Sequence, residues 1–260
     1  MPRLAANGYH EAHLAAASRH SPNLPEYLPA FPDTSAQPFL HMIEFKHVTK
    51  RYPESGEALA EVSFHVARGE LTFLTGHSGA GKSTLLRLIP AIERPSRGEI
   101  IVDGVAVQNL RTRQIPFLRR KLGLIFQDYR LLNDRSVFDN VALPLLITGH
   151  NPHEVGRRVR AALDKVGLLK KERRLPLALS GGEQQRVGIA RAIVHKPPLI
   201  LADEPTGNLD PELAEEIMRM FRDFNDVGVT VLIASHDLHL VRRFSRRTLR
   251  LDHGKLSEAG

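Results

Sequence analysis

The sequence predicts an α/β protein built on a parallel β-sheet. Two nearly continuous apolar segments, residues 198–203 and 229–235, are typical of strands that are covered on both faces. Between them, residues 211–225 carry apolar side chains at the 3.6-residue period of a helix, with Asp210 as its cap and Pro211 at its first position. A strand, a helix and a second strand in succession indicate the α/β class.

Hydrophobic patterns also predict the secondary structure of the remaining segments. Residues 115–148 are expected to hold a strand from Leu122 to Phe126 and apolar segments closed by Pro144. A helix is predicted to begin after Gly81. Hydrophobic periodicity predicts further strands at 43–48, 60–66, 71–75 and 99–106, and helices at 152–169 and 182–195.

The composition is that of a globular protein. The chain has 260 residues, of which 42% are hydrophobic and 25% are charged, and it contains no cysteine. These values exclude collagen-like and wholly disordered classes, and the lack of cysteine excludes disulfides, cysteine-ligated zinc and thiol catalysis. No apolar run is long enough to span a membrane. The net charge of +7 suits nucleic acid, an anionic membrane surface or an anionic ligand such as a nucleotide.

Residues 1–41 differ in composition from the rest of the chain. They contain six of the 17 prolines and few charged residues. Because proline disfavours long helices and central strands, we expect a disordered or extended arm. The segment lacks the basic start and apolar stretch of a secretory signal. Met42 opens the first strand pattern, so we expect it to be the biological start, with residues 42–260 forming a single domain.

A phosphate-binding loop follows the strand predicted at 71–75. Gly76, Gly81, Lys82 and Ser83 fit the spacing G-x4-G-K-[S/T] between a strand and a helix. Glycines allow the backbone to turn its N–H groups towards a phosphate, while Lys82 would reach the β- and γ-phosphates and Ser83 would ligate Mg²⁺. The alternative is a glycine-rich turn with one exposed lysine. We assign nucleotide binding to the whole loop: Gly76, His77, Ser78, Gly79, Ala80, Gly81, Lys82, Ser83 and Thr84.

Two acidic residues end the strand predicted at 198–203. Asp203 would place a carboxylate beside the Mg²⁺ at the carboxyl end of that strand, where open α/β sheets bind ligands. Glu204 is better placed to take a proton from an attacking water, which is a general-base role. The alternative is a pair of acids that merely ends a strand and begins a turn.

A second glycine-containing segment opens the helix predicted at 182–195. Ser180, Gly181 and Gly182 begin it with a small side chain and exposed backbone, which makes a second anion-binding helix terminus. On physical grounds alone, the segment could equally be a simple helix cap.

Residues 179–184, Leu-Ser-Gly-Gly-Glu-Gln, together with the downstream Asp203-Glu204-Pro205, resemble the signature of the ATP-binding-cassette (ABC) ATPases. The resemblance covers residues 42–256. It implies a P-loop NTPase with a RecA-like core, an antiparallel β subdomain and a helical subdomain at about 128–178, with ATP and Mg²⁺ as ligands.

The resemblance also gives roles to residues that spacing alone does not single out. Tyr52 matches the aromatic residue that stacks on adenine, although an exposed turn tyrosine is the alternative. Gln127 matches a glutamine that touches Mg²⁺ and the attacking water. His236 matches a histidine that contacts the γ-phosphate. Asn208, Leu209 and Asp210 match residues at the contact between protomers, and we include Asp210 among the nucleotide-binding residues.

The arrangement implied by the family is a head-to-tail homodimer. Each ATP would lie between Lys82, Ser83 and Asp203 of one subunit and Ser180 and Gly182 of the other. A separate integral membrane subunit is expected, with its coupling helix in a groove near Gln127. That places the chain peripherally at the cytoplasmic face of the bacterial inner membrane.

Several stretches resemble the bacterial cell-division branch of the family, including residues 73–84, 116–120 and 162–169. This branch implies a membrane partner that regulates peptidoglycan hydrolysis, with other division proteins as further partners. The alternative is the ATPase of a lipoprotein-releasing or macrolide-export system, which shares residues 203–210.

An ATPase of a different class would use basic side chains on nucleic-acid phosphates. Such proteins usually carry two cassettes or a long insertion, so we expect no nucleic acid here, and a basic surface facing anionic lipid is the simpler reading. The basic clusters are Arg119, Arg120 and Lys121; Arg157, Arg158 and Arg160; Lys170, Lys171, Arg173 and Arg174; and Arg242, Arg243, Arg246 and Arg247.

Overall fold

The structure is a computed structural model that describes residues 40–54, 56–207 and 209–259. The expected arm at 1–41 lies outside the described residues except for its last two. The strands are β1 (His41–Tyr52), β2 (Gly56–Ala67), β3 (Leu71–Thr75), β4 (Arg97–Val102), β5 (Val105–Ala106), β6 (Leu122–Ile125), β7 (Leu199–Asp203), β8 (Thr230–Ala234), β9 (Arg247–Asp252) and β10 (Lys255–Ala259). The α-helices are α1 (Lys82–Leu88), α2 (Ile115–Arg119), α3 (Val137–Ile147), α4 (Pro152–Lys165), α5 (Gly181–Ile193), α6 (Pro211–Asp226) and α7 (Leu238–Phe244).

A six-stranded sheet carries the fold, in the order β10-β9-β3-β8-β7-β6. Its strands pair in parallel, apart from β10, which pairs antiparallel with β9 at one edge. Strand β8 lies between β3 and β7, so the phosphate loop after β3 and the acidic residues after β7 emerge from the same end of the sheet. The α/β class and the parallel sheet are confirmed.

Successive residues of the central strands belong to two different cores. Phe73 and Ile233 are fully buried among side chains of helices α3 to α7. Their neighbours Leu74 and Leu232 are fully buried against the other sheet and helix α1. Because alternate residues of a strand face opposite sides, both faces of the sheet are covered, which explains why these strands are uninterrupted apolar runs.

The other sheet is antiparallel, in the order β2-β1-β4-β5. Phe45 of β1 and Phe64 of β2 stack with ring centroids 4.6 Å apart in its core. The strand predicted at 99–106 is interrupted by a turn, in which Asp103 (φ 48°) and Gly104 (φ 76°) separate β4 from β5. Two successive positive φ angles are typical of a tight hairpin turn.

The regular elements within residues 128–178 are all helical. The prediction that Pro144 closes its segment is wrong, because α3 continues through Pro144 to Ile147. Ser136 and Asp139 form a capping box at its start, and Val141 and Leu145 are fully buried. The cap and the burial of the apolar face outweigh the hydrogen bond that a proline removes. The predicted helix at 152–169 ends at Lys165 and is followed by a 3₁₀ turn at Leu169–Lys171.

The carboxyl-terminal part of the chain contains elements that the sequence analysis did not identify. Helix α7 begins at Leu238, where the Asp237 carboxylate accepts hydrogen bonds from two backbone N–H groups. Strands β9 and β10 then form a hairpin beside the phosphate-loop strand. Among the described residues, no helix combines the length and the apolar character needed to cross a membrane.

Candidate nucleotide-binding site

The phosphate loop connects β3 to α1 and is tightly packed against the β9–β10 hairpin. Gly76 has φ of 151°, and a Cβ atom there would lie 2.2 Å from the carbonyl oxygen of Leu251. Gly81 has φ of 106°, and a Cβ there would lie 2.6 Å from the carbonyl oxygen of Ala58. Only glycine fits these positions without displacing backbone. The loop is therefore held by its neighbours as well as by its own sequence.

Lys82, the first residue of α1, is buried and turned back over the loop. Its Nζ donates hydrogen bonds to the carbonyl oxygens of Gly76 (2.8 Å) and His77 (3.2 Å). The same Nζ lies 3.6 Å from the Glu204 carboxylate. A buried ammonium with these partners is a positive charge held inside the loop, which suits a polyphosphate.

Ser83 and Asp203 are in contact across the site. The Ser83 hydroxyl donates to Asp203 Oδ1 at 3.2 Å, which joins the start of α1 to the end of β7. Burial raises the pKa of Asp203; the Ser83 hydrogen bond opposes this shift and the nearby Glu204 adds to it. A hydroxyl and a carboxylate oxygen are the ligands that Mg²⁺ prefers, so the pair fits this ion.

Glu204 follows β7 in a left-handed backbone conformation, with φ of 48°. This conformation is uncommon for a residue other than glycine, and such strain concentrates at functional sites. Its N–H donates to the carbonyl oxygen of Ala234 at the end of β8. The carboxylate Oε2 lies 2.8 Å from Nδ1 of His236, which also donates its backbone N–H to the same oxygen at 3.3 Å. Lys82, Glu204 and His236 thus form one connected group.

Tyr52 borders the same site from the antiparallel sheet. Its hydroxyl donates to the Glu93 carboxylate and lies 3.4 Å from the Thr84 hydroxyl. The Lys50 ammonium lies 4.8 Å from the centre of the Tyr52 ring. Burial and the hydrogen bond to Glu93 raise the pKa of the Tyr52 hydroxyl. The ring is therefore fixed at the edge of the cavity and carries no charge near neutral pH.

Most of the predicted site residues line one cavity of 780 Å³. Gln127, which follows β6, lines this cavity and also a neighbouring one of 370 Å³ that Asp203 borders. Gly76 and Ala80 belong to the same loop but do not line the larger cavity. The lining of the larger cavity is Tyr52, Ala58, His77, Ser78, Gly79, Gly81, Lys82, Ser83, Thr84, Gln127, Glu204 and His236.

The predicted residues Ser180, Gly181, Gly182 and Asp210 do not line either cavity. The Ser180 hydroxyl accepts the backbone N–H of Glu183 and caps α5. The Asp210 carboxylate accepts the N–H of Leu213 and caps α6. A Cβ on Gly182 would lie 2.0 Å from a side-chain carbon of Leu213, so the starts of α5 and α6 touch each other. Asn208 lies outside the described residues.

Two partners of the site were missed by the sequence analysis. Glu93 and Lys50 hold Tyr52 in place and lie 3.2 Å from each other, but neither belongs to a motif. The β9–β10 hairpin, which packs against the phosphate loop, was also missed. Its signal was the alternation of Leu249 and Leu251 before a turn at His253-Gly254.

Comparison with known proteins gives consistent results. The family model described as ABC transporter matches residues 59–207. The chain is 60% identical over 215 residues to the cell division ATP-binding protein FtsE of Escherichia coli (strain K12), covering 83% of this chain and 97% of that protein. It is 52% identical over 216 residues to FtsE of Haemophilus influenzae, covering 83% and 99%.

A solved structure with the same fold is described as the dimeric, post-hydrolysis state of the ATP-binding cassette MJ0796 bound to ADP and Pi. It is 35% identical to this chain, with a TM-score of 0.79, and the match covers 84% of this chain and 98% of that one. The family match, the relatives and the solved structure all agree with the geometry described above, in which the phosphate loop and the strand ends form a site that the antiparallel sheet borders. The chain belongs to the ABC transporter family of ATP-binding cassette proteins and is an ATPase of that family.

Proposed function

We propose that the chain is the ATP-hydrolysing subunit of a bacterial cell-division ABC complex of the FtsE–FtsX type. In this complex, ATP-driven closure of a dimer of the chain is transmitted to the membrane subunit FtsX, which regulates peptidoglycan hydrolysis. The observation that carries the ATPase part is the contact of Lys82, Glu204 and His236 beside the Ser83–Asp203 pair. The identity of 60% to FtsE over nearly its whole length supports the cell-division part.

Hydrolysis at this site needs a base, a positive charge that binds the phosphates, and a group that positions the base. Glu204 is proposed to take a proton from water as the water oxygen attacks the γ-phosphorus and the bond to the β–γ bridging oxygen breaks. The Lys82 ammonium would exchange its contacts with loop carbonyls for the β- and γ-phosphate oxygens. His236, 2.8 Å from the Glu204 carboxylate, is proposed to hold that carboxylate and to contact the γ-phosphate.

Ser83 and Asp203 are the proposed Mg²⁺ ligands, with Gln127 beside them. When bound, the ion neutralises negative charge on the phosphoryl oxygens. The backbone of residues 76–84 would cradle the phosphates, and the Tyr52 ring, fixed by Glu93, would stack on adenine.

The second half of the site is proposed to come from another copy of the chain. Ser180, Gly181 and Gly182 lie at the start of α5 with Asp210 nearby, and none of them lines the cavity of their own subunit. In a head-to-tail homodimer, they would approach the γ-phosphate held by the partner's phosphate loop. The dimeric cassette among the solved structures supports this assembly.

A groove beside the nucleotide cavity is the proposed seat of the membrane subunit. It has a volume of 450 Å³ and is lined by apolar residues of β6 and α3, among them Leu124 and Ile147, by Phe126, and by Arg120, Arg130 and Arg191. Ile147 is 61% exposed and Leu146 is 44% exposed. An amphipathic coupling helix with acidic residues would complement this surface, and it would hold the chain at the cytoplasmic face of the inner membrane.

Two other functions are less well supported. A lipoprotein-releasing or macrolide-export ATPase would use the same catalytic residues but a different membrane subunit. Binding of nucleic acid would need free basic side chains, whereas several of these side chains form ion pairs: Lys121–Asp103, Arg158–Glu154, Arg160–Glu172, Lys171–Glu183, Arg243–Glu215 and Arg247–Glu70.

We further propose that residues 42–260 are the working cassette, with residues 128–178 as its helical subdomain. Strand β1 begins at His41 and pairs with Ala67 there, so a chain that starts at Met42 loses one residue of the sheet. A variant lacking residues 1–41 should hydrolyse ATP at the rate of the full chain. A large loss of activity in the shortened but folded variant would contradict this boundary.

Co-purification from bacterial membranes tests the proposal as a whole. The tagged chain is expected to retain FtsX, and Ile147→Glu should release it because a charge enters the apolar groove. Val227→Glu is the matched control, since Val227 is 78% exposed and lines no part of this groove. Recovery of a lipoprotein-release or export permease instead of FtsX would contradict the cell-division assignment. ATP binding by a Lys82→Ala variant at the wild-type affinity would contradict the assignment of the phosphate site.

A further inference from the structure

Three side chains of the types that ligate metals lie close together at the phosphate loop, and none of them belongs to the group formed by Lys82, Glu204 and His236. His77 lies in the loop itself, Asp252 is the last residue of β9, and His253 lies in the turn between β9 and β10. All three are exposed, and one potential ligand atom from each lies within 4.8 Å of the others. The two imidazole rings are 4.7 Å apart between centroids.

The two histidines aim the same type of atom at one carboxylate oxygen. Nε2 of His77 is 3.3 Å from Asp252 Oδ1, and Nε2 of His253 is 3.8 Å from the same oxygen. Adjacent ligands of a tetrahedral zinc ion are about 3.3 Å apart, given metal–ligand bonds of about 2.0–2.1 Å. The two distances from the carboxylate oxygen are close to this value, and all three ligand atoms lie within 4.8 Å of one another.

A hydrogen bond orients His77 for this role. Its Nδ1 lies 2.7 Å from the carbonyl oxygen of Ser78, which can only accept, so Nδ1 carries the proton and donates. The lone pair of a neutral ring then lies on Nε2, the atom that faces Asp252. A backbone carbonyl that fixes the second nitrogen in this way is the usual support of a metal-binding histidine.

The two segments that carry these residues are held together by backbone contacts. The Gly254 N–H donates to the carbonyl oxygen of Ala80 at 3.2 Å, and the Gly254 carbonyl accepts the N–H of Ala60 at 2.8 Å. Gly76 is packed against Leu251, as described above. The main-chain separation of His77 and His253 is thus set by backbone packing, and a bound ion would have to order only their exposed side chains.

We propose that His77, Asp252 and His253 form a binding site for a divalent transition-metal ion of the zinc type, which ties the phosphate loop to the β9–β10 turn. Two imidazole nitrogens and one carboxylate favour zinc over magnesium or calcium, which take oxygen ligands. The site is therefore chemically distinct from the Ser83–Asp203 pair, although both belong to the same loop region.

The test uses the full chain, stripped of metal and free of nucleotide, titrated with Zn²⁺ in competition with a chromophoric chelator. His253→Asn is the informative variant, because His253 has φ of 43°, a conformation that asparagine tolerates, and its side chain is 85% exposed. Asp252→Asn is the second variant. His239→Asn replaces an exposed histidine outside the cluster and is the matched control.

We expect the two cluster variants to lose one zinc ion per chain or to bind it at least about tenfold more weakly, while His239→Asn binds as the wild type does. Cobalt bound to the wild type should give the visible absorption of a four-coordinate ion, and His253→Asn should lack it. Equal zinc titrations for the wild type and folded His253→Asn would overturn the proposal.

Discussion

The phosphate-loop cavity and the start of helix α5 are both glycine-rich, yet the structure uses them differently. In the cavity, residues from β1, α1 and the ends of β7 and β8 face one another and are joined by hydrogen bonds and ion pairs. At the start of α5, the Ser180 hydroxyl is used within its own helix as a cap. The cavity residues contact one another within one chain, whereas the start of α5 is an exposed helix terminus that makes no such contacts with the cavity.

This contrast shows where the proposed site is incomplete within one chain. Lys82, Glu204 and His236 are brought together by the parallel sheet of a single chain, so this half can form in a monomer. Ser180 and Gly181 are exposed and have no phosphate-site residue of their own chain beside them. Their role in the proposal depends on a second subunit. Variants of Glu204 and Tyr52 test the half that one chain forms, and a mixture of Lys82 and Ser180 variants tests the contribution of the second subunit.

The largest effect is expected from Glu204→Gln. The amide keeps the size of the side chain but cannot take a proton from water, so hydrolysis should slow by about a hundredfold or more. ATP binding should persist, because Lys82 and the loop backbone are unchanged. The turnover rate measures hydrolysis, and gel filtration with ATP measures dimer formation. If the variant stays monomeric with ATP and Mg²⁺, the link between unhydrolysed nucleotide and dimer closure fails.

A smaller effect is expected from Tyr52→Ala. Loss of the ring should weaken ATP binding by about tenfold, the usual contribution of stacking on a base. Tyr52→Phe keeps the ring and loses only the hydrogen bond to Glu93, so it should bind ATP nearly as the wild type does. Equilibrium binding of a fluorescent ATP analogue measures both variants. Equal affinities for Tyr52→Ala and Tyr52→Phe would contradict stacking.

The smallest effect concerns stability without nucleotide. The pKa of Asp203 is raised, chiefly by burial, so its ionised form costs folding free energy near neutral pH. Asp203→Asn should therefore increase the free energy of unfolding near neutral pH, and the gain should vanish below the ordinary pKa of aspartate. Unfolding in urea at several pH values measures this.

Asp103 provides the opposite control for that measurement. Burial favours its neutral form, but Lys121 and Arg68 more than compensate and hold its pKa below the usual range. Asp103→Asn should therefore destabilise the protein near neutral pH and matter less as pH falls through the lowered pKa. If both substitutions changed the free energy of unfolding in the same direction near neutral pH, the electrostatic explanation would be contradicted.

The parts of the fold that could be predicted from sequence were those with local signals. The phosphate loop has its glycines, lysine and serine within eight residues, and the buried strands are continuous apolar runs. The course of α3 through Pro144 could not be predicted, because burial of Val141 and Leu145 in the core overrides a local signal.

The candidate site was predicted as a set of residues but not as a set of contacts. Glu204 and His236 are 32 residues apart, and their 2.8 Å contact depends on the pairing of β7 with β8. Glu93, which holds Tyr52 from 41 residues away, has no motif to identify it. Such partners follow from the sheet order, which single-residue patterns do not encode.

Mixing two inactive variants shows whether each site is shared between two copies of the chain. Lys82→Ala disables the phosphate loop. Ser180→Asp keeps a capping residue at the start of α5 but places a negative charge where the partner's triphosphate would lie. Ser136→Asp is the matched control, because Ser136 caps α3 with the same type of capping box and lies outside the proposed contact.

Each of the two variants alone should be inactive, and Ser136→Asp should be active. In an equal mixture, half of the dimers would contain one intact site, so hydrolysis should recover to about a quarter of the wild-type rate. Wild-type activity of Ser180→Asp alone, or no recovery on mixing two folded variants, would contradict the shared site.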